Sequence, residues 1–207
     1  MFKYIIASTI AVFAGFAFYV YFYIGGYKSA EFEFTQQPAL VSVVKDHIGA
    51  YHKINNVIQE VETWAKSKNL KCELSLGEYL DNPNLVEEPR LKSRGGCVIA
   101  DSEKSSLQNL EKELPTDFKI LSFPTREVLM AKFDGSPAIG PWKVYSRLDD
   151  LLKSARKHTS GAALEIYQIL ENNKMKTTYY FPVKPDSQPN AQLKSLPESQ
   201  PEKSNTK

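Results

Sequence analysis

The chain has 207 residues, with 26 Lys and Arg against 24 Asp and Glu, for a formal net charge of +2. That balance speaks against nucleic-acid binding, which calls for a basic excess gathered on one face. Two cysteines exclude a disulfide-rich scaffold and a four-cysteine zinc site, and His47, His52 and His158 leave little for a metal centre.

Residues 4–24 form a run with no charged side chain. At ~1.5 Å per residue the run spans about 31 Å, close to the ~30 Å hydrocarbon core of a bilayer. Tyr19, Tyr21, Tyr23 and Tyr27 gather at its far end, where amphipathic rings favour the headgroup layer. A cleaved signal peptide would have a shorter apolar stretch and small residues at the cut, and Lys28 stands where a small residue is wanted. The run therefore predicts an uncleaved single-pass anchor in contact with membrane lipid. Lys3 and the amino terminus flank one side and Lys28 the other, a slight lean toward a cytoplasmic N-terminus.

Residues 32–184 are predicted to fold as one domain. A strand-like stretch, Val43–Tyr51, ends near Gly49 and leads into a helix with Ile54, Val57, Ile58, Val61, Trp64 and Ala65 at helical spacing. Two strand candidates follow, 71–80 and 96–101, separated by a loop holding Pro83 and Pro89. The order then recurs. Leu129–Pro137 leads into a helix with Tyr145, Leu148, Leu151, Leu152 and Ala155, followed by strands 162–170 and 176–183 around the polar turn 171–174. Two strand–helix–strand–strand units predict an α+β fold, a duplicated, pseudo-twofold antiparallel sheet with two helices on one face. Alternation along 162–170 is read with Leu164 and Ile166 toward the helices and Ala163, Glu165 and Tyr167 on the open face, where a concave sheet would hold a ligand. Residues 185–207 carry four prolines and no aromatic residue, and predict a disordered polar tail.

Val44–Tyr51, Tyr79-Leu80-Asp81-Asn82-Pro83, Phe123-Pro124, Gly135, Leu164-Glu165-Ile166-Tyr167 and Phe181-Pro182-Val183 resemble, in order and spacing, the gyrase-inhibitor-like (GyrI-like) small-molecule-binding domain. That resemblance implies the same pseudo-twofold fold, related to the SOUL-like fold of haem-binding proteins, although no axial ligand stands out and no cofactor is expected. With the N-terminal run included, the chain also resembles the testis-expressed transmembrane family of reticulum-autophagy receptors. It departs from those receptors because its tail lacks the aromatic residue of their partner-binding motif.

In GyrI-like domains the glutamate matching Glu165 sits among aromatics and meets cationic or polar ligands. A carboxylate in an apolar pocket has a raised pKa and draws in a cation; the plain alternative is a solvated glutamate on an open sheet face. Tyr51, Tyr79, Trp142, Tyr167 and Tyr179 are the candidate pocket aromatics, each also an ordinary packing residue. No Ser–His–Asp order, phosphate loop or metal spacing appears, so no catalytic residue is assigned. Cys72 and Cys97 fall on the two strands that flank the 81–89 loop, where facing positions come within disulfide range; two unlinked buried thiols are the commoner arrangement. The expected function is a membrane-anchored, non-enzymatic domain that binds a small organic molecule, a cation among the candidates, around Glu165. A membrane adaptor with a protein partner and a pocket-glutamate hydrolase are the alternatives.

Overall fold

The computed structural model describes residues 2–170 and 175–186. The turn 171–174 and nearly all of the tail predicted as disordered lie outside those residues. The chain opens with α1 (Phe2–Phe18), which runs on through a wider turn, Tyr19–Tyr23. Phe2–Tyr23 is the one helix among the described residues long and apolar enough to cross a membrane. Its end is tied to the domain that follows. The Ile24 carbonyl accepts the Ser136 N–H at 3.1 Å, and the Gly26 carbonyl accepts a bond from Lys143 Nζ at 2.6 Å. Gly25 turns there at φ +86°, and a Cβ on it would lie 3.3 Å from the Cα of Gly135.

The rest is an antiparallel sheet with helices laid on it. In chain order come β1 (Glu31–Gln37), β2 (Leu40–Ile48), α2 (Ile54–Ser67), β3 (Cys72–Tyr79), β4 (Lys92–Ile99) and the short α3 (Lys104–Asn109). Then follow β5 (Phe118–Phe123), β6 (Arg126–Phe133), α4 (Gly140–Ser154), β7 (Lys157–Thr159), β8 (Ala163–Ile169) and β9 (Met175–Pro185). The strand order is β1-β6-β9-β8-β3-β4-β2-β5, with β7 paired to β9. The elements β2-α2-β3-β4 thus make one half of the sheet and β6-α4-β8-β9 the other, meeting where β3 pairs with β8. Each half is extended by the strand that precedes the other half's first strand: β5 lies beside β2, and β1 beside β6. This exchange ties the halves together. Neither edge strand was assigned from the sequence.

Helix α2 buries Ile54, Val57, Ile58, Val61 and Ala65, the stripe read from the sequence. It lies close over β4 because Gly95 has no side chain: a Cβ there would meet Ile58, Ile54 and Val57 at 3.0–3.2 Å. Gly96 serves the other direction, since its Cβ would fall 2.0 Å from the Val43 carbonyl of β2. Lys92, Arg94 and Gly95 look like a turn in sequence, yet β4 starts at Lys92, four residues before the expected Gly96. Helix α4 packs Val144, Leu148 and Leu152 against Leu129, Ala131, Phe133, Tyr179, Phe181 and Val183.

The face assignment along β8 is reversed. Register pairs Glu165 with Gly77 and Tyr179, and Ala163 packs with the α4 cluster, so Ala163, Glu165 and Tyr167 share the helix-covered face. Leu164 and Ile166 point away from the helices into a second core with Val44, Leu76, Val98 and Phe123. The cause is physical. Both faces of β8 are buried, so alternation sorts its residues into two sets without saying which set the helices cover. The face without helices is no open hollow: Leu164, Leu76 and Val44 have no exposed surface. It carries a charged rim, with Arg94 bonded to Glu78 at 2.8 Å and to Asp46 at 3.1 Å, and Lys119 bonded to Asp46.

Candidate functional site

Where the two halves meet, under α4, one carboxylate is enclosed by tyrosines. Glu165 is only 4% exposed. Its Oε2 accepts a bond from the Tyr167 hydroxyl at 2.9 Å, and its Oε1 accepts one from the Tyr145 hydroxyl at 3.2 Å. The Tyr167 and Tyr79 hydroxyls lie 2.8 Å apart, which extends the chain of bonds onto β3. Tyr179 sits opposite Glu165 on β9, fully buried, with its ring edge-on to that of Tyr145 at 6.4 Å between centres.

Local backbone choices make this arrangement possible. Alternation on β8 puts Glu165 and Tyr167 on one side, and Tyr167 reaches back along the strand to the carboxylate. Gly77 leaves the space opposite Glu165 free of a side chain; a Cβ there would meet the Tyr79 and Tyr167 hydroxyls at 3.2 and 3.3 Å. A mid-strand glycine commonly marks such a close approach. Gly140, at the start of α4, does the same for Tyr179, whose hydroxyl would lie 2.2 Å from a Cβ at that position. Tyr145 then comes down from α4 onto Glu165, its residue still 40% exposed on the outside.

The electrostatics follow from the enclosure. Loss of water pushes the Glu165 carboxyl up to about 7, and the bonds from Tyr167 and Tyr145 pull it partly back. The tyrosines respond the other way. Burial first, and then the Glu165 charge, hold Tyr79, Tyr145, Tyr167 and Tyr179 well above the ordinary phenol range, so they remain neutral donors. Among the described residues no Lys, Arg or His forms an ion pair with Glu165. The Tyr179 and Thr177 hydroxyls are buried and have no hydrogen-bond partner among the described residues. The site is thus a nearly closed, tyrosine-walled enclosure with one acidic group, two hydroxyls without partners and, among the described residues, no cation paired with the acid.

The structure brings Tyr79, Tyr167 and Tyr179 to Glu165 and sets Tyr51 one shell out. Tyr51 packs edge-on against Tyr79 at 4.8 Å between centres, and its hydroxyl donates to the Asp81 carbonyl at 2.8 Å, fixing the start of the following loop. Trp142 stands apart, 71% exposed at the first turn of α4. Tyr145 was counted in sequence as part of the apolar stripe of its helix; nothing in helical spacing separates a packing tyrosine from one whose hydroxyl meets a carboxylate. Gly77 was the available signal for a site on β3. Cys72 and Cys97 are joined, with Cα atoms 5.5 Å apart across the β3–β4 pair. The histidines are scattered: His47 contacts the Ala50 carbonyl and His158 contacts Asp186.

A search of curated proteins finds no match to the chain. Among solved structures, the C-terminal domain of EcmrR is similar at 12% identity and a TM-score of 0.59, over 75% of this chain and 98% of that one. EcmrR in a complex with DNA is similar at 12% identity and a TM-score of 0.59, over 88% of this chain and 70% of that one. SAV2435 bound to tetraphenylphosphonium is similar at 14% identity and a TM-score of 0.45, over 74% of this chain and 94% of that one. At such identities these likenesses concern the fold. Residues 30–184, which hold all but the last residue of the sheet, α2, α4 and every residue of the enclosure around Glu165, match a family description, and the chain belongs to that family, the GyrI-like small molecule binding domain.

Proposed function

We propose that the chain is a membrane-anchored, non-enzymatic binding domain that takes a small organic cation against Glu165. The observation that carries this reading is a carboxylate 4% exposed, with two tyrosine donors and no cationic partner among the described residues. Burying a carboxylate costs several kcal/mol unless a positive charge compensates it. A ligand cation would supply that charge, and ring faces would hold its apolar body. Tyr79, Tyr167 and Tyr179 are the proposed wall of the pocket, with Tyr51 behind them and Tyr145 as its cover. Glu165 is nearly enclosed as it stands, and Tyr145 closes it from α4, so a ligand enters only if Tyr145 and the first turns of α4 move aside. The helix Phe2–Tyr23 supports the anchor in length and composition.

The test is calorimetric titration of the full chain in lipid nanodiscs with tetraphenylphosphonium and with tetraphenylborate, which share a shape and differ in the sign of charge. After subtraction of the uptake by protein-free nanodiscs, which both apolar ions show, the cation should bind and the anion should not. Glu165→Gln should weaken the cation by at least about ten-fold, a loss of ~1.4 kcal/mol. Equal binding of both ions, or an unchanged affinity in the variant, would overturn the assignment. The adaptor reading draws on the same apolar helix. A partner captured equally by Glu165→Gln, together with no cation binding, would favour it.

A further inference from the structure

We propose that the first turn of α4 is a membrane-contact surface, with Trp142 seated in the headgroup layer of the bilayer that α1 crosses. This rests on the anchor reading above and on three observations beyond it. The first is length. Phe2–Tyr23 rises about 33 Å at ~1.5 Å per residue, against ~30 Å of hydrocarbon, so a helix spanning the bilayer delivers Ile24 to Tyr27 at the headgroup level.

The second is attachment. The residues that emerge there do not lead into a free linker. Ile24 and Gly26 are hydrogen-bonded to Ser136 and Lys143, and Gly25 lies against Gly135. The segment that begins α4 is therefore held at the depth where the helix ends. Lys143 Nζ, bonded to the Gly26 carbonyl, is also 5.3 Å from the centre of the Trp142 ring, which places that ring beside the emerging chain.

The third is side-chain type. Trp142 is 71% exposed, and it shares this end of the molecule with the exposed rings of Tyr23 and Tyr27. Trp and Tyr are the side chains that favour a layer apolar on one side and wet on the other. A second protein could cover a lone exposed tryptophan elsewhere on the surface. Here the covalent path and the hydrogen bonds fix the nearest available surface as lipid. Tyr145 lies three residues along the same helix and donates to Glu165, so the cover of the enclosure and the membrane contact are adjacent turns of one element.

The chain has two tryptophans, which makes the contact measurable. The full chain and its Trp142→Phe variant are reconstituted into phosphatidylcholine vesicles, with ordinary or brominated acyl chains. The difference between the two proteins isolates the Trp142 emission, and the exposed position keeps the variant folded. Bromine should quench that emission by at least about two-fold, since a ring in the headgroup layer lies next to the acyl chains. An emission equal in the two lipids, in vesicles whose protein resists alkaline carbonate extraction, would overturn the contact while leaving the anchor standing. Protein released by carbonate would overturn the anchor and the contact together.

Discussion

Replacing Glu165 by glutamine should stabilise the unliganded protein, and by an amount that depends on pH. Burial raises the carboxyl from its ordinary 4.5 to about 7. The folded state then binds a proton more tightly than the unfolded state, so the contribution of this group to stability is full below about pH 4.5 and falls as pH rises toward 7. Above that window the whole difference is lost; at ~1.4 kcal/mol per pH unit it is about 3 kcal/mol. Glutamine has the shape of the protonated acid and never takes the charge. Its amide can donate to the Tyr167 hydroxyl, which can in turn donate to Tyr79, a pair that bonds in either direction. Thermal unfolding of the full chain and of Glu165→Gln, in detergent without ligand, measures the gap. For a domain of this size ~1 kcal/mol moves the midpoint by roughly 2–4 °C, so the variant should melt roughly 6–12 °C higher at about pH 8. The two should coincide near pH 4.5. A difference that stays constant across this range, or a variant less stable at every pH, would refute the claim that the carboxylate is held in a costly environment.

The supporting residues make narrower predictions. Tyr145→Phe removes one donor to the carboxylate, so the Glu165 midpoint, followed by carboxyl infrared absorption, should move further up, by the worth of one charge-assisted bond, ~1.5–3 kcal/mol at most. Gly96→Ala drives a methyl group into the β2 backbone and should destabilise by about 3 kcal/mol or more, read as a lowered melting midpoint; a shift below ~1 kcal/mol would mean that β2 and β4 can part without cost. Cys72 and Cys97 close a loop of 25 residues, for which a chain-entropy estimate gives about 3.5 kcal/mol. Alkylation in denaturant of protein isolated without reductant should label neither cysteine before reduction and both after, and labelling of both beforehand would show thiols.

How much of this could be read from the sequence depended on whether a segment has one buried face or two. Helix α2 has one, and its stripe from Ile54 to Ala65 was readable at 3.6-residue spacing. Strand β8 has two, with Leu164 and Ile166 buried on one side and Glu165 on the other. Its period was therefore correct while its direction was reversed, and the enclosure was expected on the face without helices. The start of β4 was placed late because Lys92, Arg94 and Gly95 have turn composition; only the close approach of α2 on one side and β2 on the other explains two adjacent glycines in a central strand. β1 and β5 were missed because each pairs with a strand of the opposite half, and such pairing leaves no local trace. Glu165 was found through family likeness. Tyr145, which touches it, was not, since its role depends on how α4 crosses the sheet.

The same carboxyl sets how binding must respond to pH, and this response separates a cation site from an apolar pocket that merely contains an acid. A cation needs the carboxylate form. Below about pH 7 the empty site is protonated, so binding must expel that proton, and the association constant should fall about ten-fold for each pH unit below the midpoint. Above it the site is already charged, and the affinity should level off. No other group of the enclosure blurs the profile, because Tyr79, Tyr145, Tyr167 and Tyr179 are all held neutral far above this range. The environment that costs the empty protein its stability also strengthens the response to a ligand: relief of about 3 kcal/mol corresponds to roughly a hundred-fold in affinity. Calorimetry of tetraphenylphosphonium in two buffers of different ionisation enthalpy counts the protons directly. Close to one should be released at about pH 5.5 and none at about pH 8.5, and Glu165→Gln should release none at either. Release that persists in the variant would assign the proton to another group, and the cation would then owe its place to the tyrosine rings alone.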